Sequence, residues 1–499
     1  IEAFANKYLK EDNYAVIYKK QGKDPNEKKM TKPEITPIIT NRDVASPFLV
    51  EVQESAVKPI EPVFLDYQKD MSQLKAKSDI PVLYKQNVAN DLFQLIYVFD
   101  MGNNHDKALG TAFDYLEYLG TSDMTPEELK SEFYRLACTF YVSPGNERTY
   151  VVLSGLNENM PAAVQLFEKL LADAQVNKEA YTNMTSDILK ARSDAKLNQG
   201  QNFSRLMSFA MYGPKSPATN LLTEAELTNM NPQELVDRIH NQNSYKHRIL
   251  YYGPSSSKDL LATINQYHQV PAALKDIPAG NEYSYLETPV TKVLVAPYDA
   301  KQIYMAQISN LDKKYDPAIE PIRALYDEYF GGGMNSIVFQ EMRETRGLAY
   351  SAWASIMPPS YLKYPYVLRT QIATQNDKMI DAVTTFNDII NNMPESEAAF
   401  KLAKDGLTNR LRTERIIKGD IIWSYINAQD LGQNVDPRIK LYNDIQNMSL
   451  KDIVDFQKQW VKGRTYVYCI LGDKKDLELD KLKAVGPIEE LTQEQIFGY

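Results

Sequence analysis

The sequence predicts an α+β fold of two homologous α/β-sandwich domains, preceded by the tail of a third copy and a linker. Each domain is expected to be a mainly antiparallel sheet with helices on one face. Three observations carry this reading. At 499 residues the chain exceeds a single ordinary core, and roughly 100–200 residues per domain gives two to four domains. Segments also recur at a near-constant offset. Asn229-Met230, Leu235-Val236-Asp237 and Arg248–Gly253 find counterparts in Asn447-Met448, Ile453-Val454-Asp455 and Tyr466–Gly472. Within each copy, alternating strand patterns come early and helical patterns late.

In chain order, Phe4–Ile17 lies without gaps on Phe456–Cys469, the closing helix and last strand of the repeat. Residues 1–18 are therefore expected to end a truncated preceding domain. The chain, which opens on Ile, is read as the C-terminal part of a longer protein. Residues 19–79 read as an interdomain linker, because Pro25, Pro33, Pro37, Pro47, Pro59 and Pro62 fix φ and cannot complete a sheet ladder. The first full copy is expected over 80–268, a second linker over 269–289, the second copy over 290–485, and a C-terminal tail over 486–499.

Each copy opens on a strand, Asp91–Phe99 or Gln302–Ile308. A helix follows and ends at Gly120 or Gly331, glycine being the expected residue just past a helix end. The next helix of the first copy starts at Thr125-Pro126-Glu127-Glu128, a cap followed by proline and acidic residues. Another strand (Thr149–Leu153; Tyr366–Gln371), several helices and a final strand complete the unit.

Charge and composition exclude several functions. A net charge of −9 argues against a nucleic-acid or anionic-membrane surface as main partner. No apolar run approaches the ~18 residues of a membrane helix, and no signal-like segment is present, so the compartment stays open, with periplasm or cell envelope compatible. Cys138 and Cys469 each sit inside an apolar element and read as buried free thiols. The four histidines, His105, His240, His247 and His268, lack the spacing of a zinc-binding helix and are assigned surface or capping roles. Gly331–Ser336 lacks the Gly-Lys-[Ser/Thr] of a phosphate loop.

What remains is the stretch from Gly331 to Tyr350. A helix-period run is released by Gly347 into a strand, and Arg343 and Tyr350 flank that junction. An arginine fork holds peptide carbonyls or a carboxylate, and a phenol O–H can donate to a carbonyl oxygen. An ordinary surface arginine and a packed tyrosine are the alternative.

Phe339-Gln-Glu-Met-Arg343-Glu-Thr-Arg-Gly347-Leu-Ala-Tyr350-Ser resembles the signature of the pitrilysin/insulinase family of zinc metallopeptidases, whose zinc motif is H-x-x-E-H. The resemblance covers about residues 64–485. It implies two halves, each a pair of homologous domains, closing like a clamshell on a peptide, with zinc in the first domain. It also implies substrate-binding roles for Arg343 and Tyr350. At the motif's position in the first copy stand Asp114, Glu117 and Tyr118, which match the glutamate but replace both histidines. This copy therefore resembles a degenerate domain. No metal is expected in this chain, and the zinc is expected in an N-terminal half.

The resemblance thus implies the non-catalytic half of a metalloendopeptidase, with a peptide substrate and a catalytic half in cis, or a homologous subunit, as partners. Two other expectations stand beside it. One is a peptide-binding or scaffold protein of the same fold without activity. The other is a non-catalytic subunit that pairs with a separate catalytic one.

Overall fold

The computed structural model describes residues 1–20, 22, 46–56, 58–300 and 302–499. Much of the proline-rich stretch, including Pro25, Pro33 and Pro37, lies outside them. The chain divides into two units, Ile1–Pro59 and Ile60–Tyr499.

The first unit contains the helices Glu2–Tyr8 and Pro47–Glu54. The helix expected near the start is present, but the strand expected over Tyr14–Ile17 is not, and Phe4, Tyr14, Val16 and Ile17 are exposed. A strand is held by ladder partners and a covered face, and this segment has neither among the described residues.

The second unit contains two six-stranded sheets among its described residues. The first is built from β1 (Ser72–Lys75), β2 (Pro81–Gln86), β3 (Leu92–Phe99), β4 (Cys138–Pro144), β5 (Thr149–Leu156) and β6 (Arg248–Gly253), in the order β1-β2-β6-β3-β5-β4. The second uses β7 (Lys292–Pro297), β8 (Gln302–Lys314), β9 (Ser351–Met357), β10 (Pro365–Gln375), β11 (Val467–Gly472) and β12 (Ile488–Glu490), in the order β12-β7-β11-β8-β10-β9. Five strands of each sheet correspond one to one. In both, the second strand of that order, or its counterpart, runs parallel to the last strand of the repeat, and the next three pairings are antiparallel. The sixth strand differs. β1 comes from residues ahead of the first copy, within the stretch read as linker, and β12 from residues following the second, within the stretch read as tail. The helix Gln493–Phe497 then buries Ile496 and Phe497.

Each domain's own helices cover one face of its sheet. The helix Pro126–Arg135 starts at a capping box in which Thr125 and Glu128 satisfy each other's backbone N–H groups. Phe167 and Leu171 of the helix Met160–Asp173 pack with Leu95 and Tyr97 of β3 in one core. The opposite face is also covered, by a helix of the other domain. Phe203, Leu206 and Ala210 of the helix Gln199–Tyr212 close over Leu294, Ala306 and Cys469 of the second sheet. Ile421, Ile422 and Ile426 of the helix Asp420–Asp430 close over Ile96, Val152 and Leu250 of the first. These helices occupy the same position in the repeat, so the exchange is reciprocal. It explains why β3 and β11 are buried on consecutive residues, as strands covered on both faces must be. Arg148 adds a polar tie, forking onto Asp430 at 2.6 Å through both terminal nitrogens while its Nε reaches Asp100.

Candidate functional site

The second copy builds its site at the junction of helix and edge strand. Gly331 follows the helix Glu320–Phe330 with φ −143°, which is not the left-handed cap that the sequence suggests. Glycine is required there for a different reason: a Cβ would run into the Ala354 backbone of β9. Asp327 ties the same helix to β9, accepting from the Ile356 N–H and the Ser355 hydroxyl, both at 2.9 Å, and from Arg323 at 2.7 Å. Burial, only partly offset by the Arg323 charge, pushes its carboxyl up to about 6.

Ser336 caps the next helix, Ile337–Phe339, by accepting from the Phe339 N–H. The helix then widens into a π-helical stretch, Gln340–Thr345. Such wide turns are rare and concentrate at functional sites. Gly347, at φ +57°, ends it in a conformation that disfavours a side chain. The Tyr350 N–H then bonds the Ala373 carbonyl at 3.1 Å, fixing the entry to β9.

This geometry brings Arg343 and Tyr350 together. The Arg343 guanidinium lies 5.2 Å from the Tyr350 ring centre and 5.0 Å from that of Phe339. Stacking of this kind holds the fork in place while leaving its N–H groups free. Among the described residues the fork makes no hydrogen bond, its nearest carboxylate being Glu344 at 3.7 Å. The Tyr350 hydroxyl has no partner either, and the residue is 74% exposed. Six donors, five from arginine and one from tyrosine, thus face solvent at a preformed spot.

The degenerate motif of the first copy gives no comparable site. The helix Leu109–Leu116 ends at Glu117, its C-cap, and a turn carries the chain on through Tyr118. Asp114, Glu117 and Tyr118 are all exposed. Partial desolvation, with the Glu117 charge, raises the Asp114 carboxyl. Two carboxylates and a phenol, without imidazole, do not fit the zinc that the H-x-x-E-H motif holds. Among the described residues, no group of three or more His, Cys, Asp or Glu side chains is placed to hold a metal.

The histidines require a correction. His105 and His240 take capping roles, toward the Gly102 N–H and the Ala174 carbonyl. His247 and His268 instead are buried and bonded to each other, Nε2 to Nε2, at 2.8 Å. His268 Nδ1 meets the Glu168 carboxylate at 2.7 Å, and His247 Nδ1 meets the Tyr245 carbonyl at 2.7 Å. Glu168 also accepts from Asn243 and from the Gln269 N–H. His247 Nδ1 must donate to its carbonyl, so the bond between the rings draws its hydrogen from His268. Burial, and then the His268 charge, pushes His247 down to about 3. The available sequence signal was Glu168 itself, a carboxylate between Phe167 and Leu170 on the apolar face of its helix.

A family model described as "Peptidase M16 inactive domain" matches residues 249–407, a range that contains the Arg343–Tyr350 junction. Over that range the chain is similar to the M16 inactive domain. The resemblance to the pitrilysin/insulinase peptidases is borne out. The Helicobacter pylori protein "Non-peptidase homolog YmxG" is 23% identical over 422 residues, covering 80% of this chain and 93% of that one. Among solved structures, the peptidase M16 inactive domain from Pseudomonas fluorescens superposes with a TM-score of 0.63 at 15% identity, covering 81% of this chain and 98% of that one. The periplasmic protease PqqL from Escherichia coli gives 0.64 at 13% identity, covering 95% of this chain but 50% of PqqL. At these identities the structures establish the M16-type fold. The M16-like chain therefore spans nearly the whole of two relatives and half of the third. No helix among the described residues is long and apolar enough to cross a membrane.

Proposed function

We propose that this chain is the non-catalytic half of a zinc metalloendopeptidase, and that Arg343 and Tyr350 hold peptide substrate on the wall opposite the metal. The observation that carries the reading is the stacked pair itself, an arginine fork fixed over a tyrosine ring with its donors unsatisfied. In this account, Arg343 donates to a backbone carbonyl or terminal carboxylate of the peptide, and Tyr350 donates to a neighbouring carbonyl. The π-helical turn sets their spacing. The exposed apolar residues of the first unit, Phe4, Tyr14, Val16 and Ile17, are what the closing segment of a preceding domain would bury, and the alignment to half of PqqL fits the same arrangement. Zinc and its bound water would belong to the catalytic half, in cis or on a homologous subunit.

A second reading has its own support. The Helicobacter relative, matched over nearly its whole length, is named a non-peptidase homologue, and a chain of that kind would bind peptide without cutting it.

The test is cleavage of an unstructured peptide by this chain together with its catalytic half. Arg343→Ala should lower kcat/KM by about 10–100-fold, the value of a charge-assisted hydrogen bond of roughly 1.5–3 kcal/mol. Tyr350→Phe should lower it at least several-fold. Wild-type rates in both variants would remove the assigned role. Tight peptide binding with no cleavage by the assembled protein would favour the second reading.

A further inference from the structure

The four outer strands of the two sheets are not protected alike. β1 has four residues and carries Lys75; β12 has three and carries Glu489 and Glu490. Short length and charge are the usual means of preventing an edge from pairing with other chains. β4 and β9 lack both. β4 reads Cys-Thr-Phe-Tyr-Val-Ser-Pro over seven residues, without charge and with proline only at its end. It pairs with β5 alone, and among the described residues no backbone group of Thr139–Ser143 bonds outside that ladder.

Beside β4 opens an apolar groove of about 710 Å³, lined by Leu116, Leu129, Phe133 and Phe140, with Glu117 and Lys130 among its polar residues. Tyr134, 87% exposed, also lines it, and Tyr141 lies exposed on the strand. The repeat makes this groove the counterpart of the Arg343–Tyr350 junction. In each copy it lies between the helix that follows the glycine-marked turn, at Gly120 or Gly331, and the uncharged edge strand. An open row of backbone donors and acceptors next to an apolar hollow matches one kind of occupant, an extended polypeptide. Its backbone completes the ladder while alternate side chains point to one side.

We infer that the first copy, having no metal ligands, binds an extended peptide by strand addition to β4, with a large apolar side chain of that peptide in the groove. The inference does not depend on Arg343 and Tyr350.

The experiment is fluorescence anisotropy of the full chain with a labelled ten-residue peptide of alternating valine and phenylalanine, flanked by charged residues for solubility. Its control carries N-methyl groups at alternate positions, leaving the side chains unchanged but blocking one hydrogen-bonding edge. The expected result is saturable binding that falls at least about tenfold for the N-methylated peptide and for Phe140→Ala. Thr139→Asp, an exposed substitution that places charge on the edge without disturbing the core, should act likewise. Arg343→Ala with Tyr350→Phe should leave this binding unchanged. Equal affinity for the N-methylated peptide, loss only with the Arg343 and Tyr350 changes, or no binding at all would overturn the inference. So would a concentration-dependent dimer abolished by Thr139→Asp, since the edge would then serve a second copy of this chain.

Discussion

At the scale of single residues, an exposed donor pair and a buried histidine row define the molecule. Arg343 is stacked on Phe339 and Tyr350, with only a loose, exposed ion pair to Glu344 at 3.7 Å, so its hydrogen-bond donors remain available to a ligand. The Glu168–His268–His247 row works in the opposite sense, every polar atom being turned inward and used. Its consequence is a pH dependence with a definite sign. His247 is pushed down to about 3 in the folded state, so folding favours its neutral form. That contribution is complete above the unfolded histidine value near 6.5 and is lost as pH falls toward 3. Denaturation midpoints measured between pH 7 and 4 should therefore decline, with a slope approaching about 1.4 kcal/mol per pH unit for this one group. His247→Gln should give a protein less stable at pH 7 and with a flatter acid limb. An unchanged slope would remove His247 from the acid response. The closeness of Arg343 and Tyr350 was legible in the sequence because motif and spacing reside in one continuous stretch. The histidine row was not, because its members lie far apart in the chain and meet only when β6 packs on the helix Met160–Asp173.

At the scale of elements, strand order within each copy followed from alternation, and the start at Thr125 from its capping chemistry. The exchange of helices was out of reach. An amphipathic pattern states that a face is buried, not which sheet buries it. Gln199–Tyr212 and Asp420–Asp430 each lie on the other domain's sheet, as their equivalent places in the repeat require once one of them crosses. The sheet edges escaped for a related reason: β1 and β12 are three or four residues long, too short to show a period. The exchange predicts that the two domains unfold together. Leu206→Ala and Ile422→Ala, both at positions buried in the borrowed interface, should each cost about 2–5 kcal/mol. Each should also lower a single shared transition in chemical denaturation. A second transition confined to one domain would contradict the interlock.

At the scale of the whole molecule, one architecture occurs twice with different chemistry at corresponding places. The second copy keeps a π-helical turn, an arginine and a tyrosine beside its uncharged edge strand. The first keeps the edge and a hollow, and has carboxylates and a phenol where H-x-x-E-H would stand. Duplication and family resemblance were readable from the sequence; the open edges and the hollow needed the assembled sheet. We propose that this chain alone holds peptide without cutting it. The direct measurement is incubation of the chain alone with a labelled unstructured peptide, with and without a chelator, following binding and cleavage in one sample. In a Thr139→Asp background, which closes the β4 edge, the prediction is binding indifferent to chelator, weakened about tenfold by Arg343→Ala, with the peptide intact throughout. Chelator-sensitive cleavage by this chain alone would contradict it.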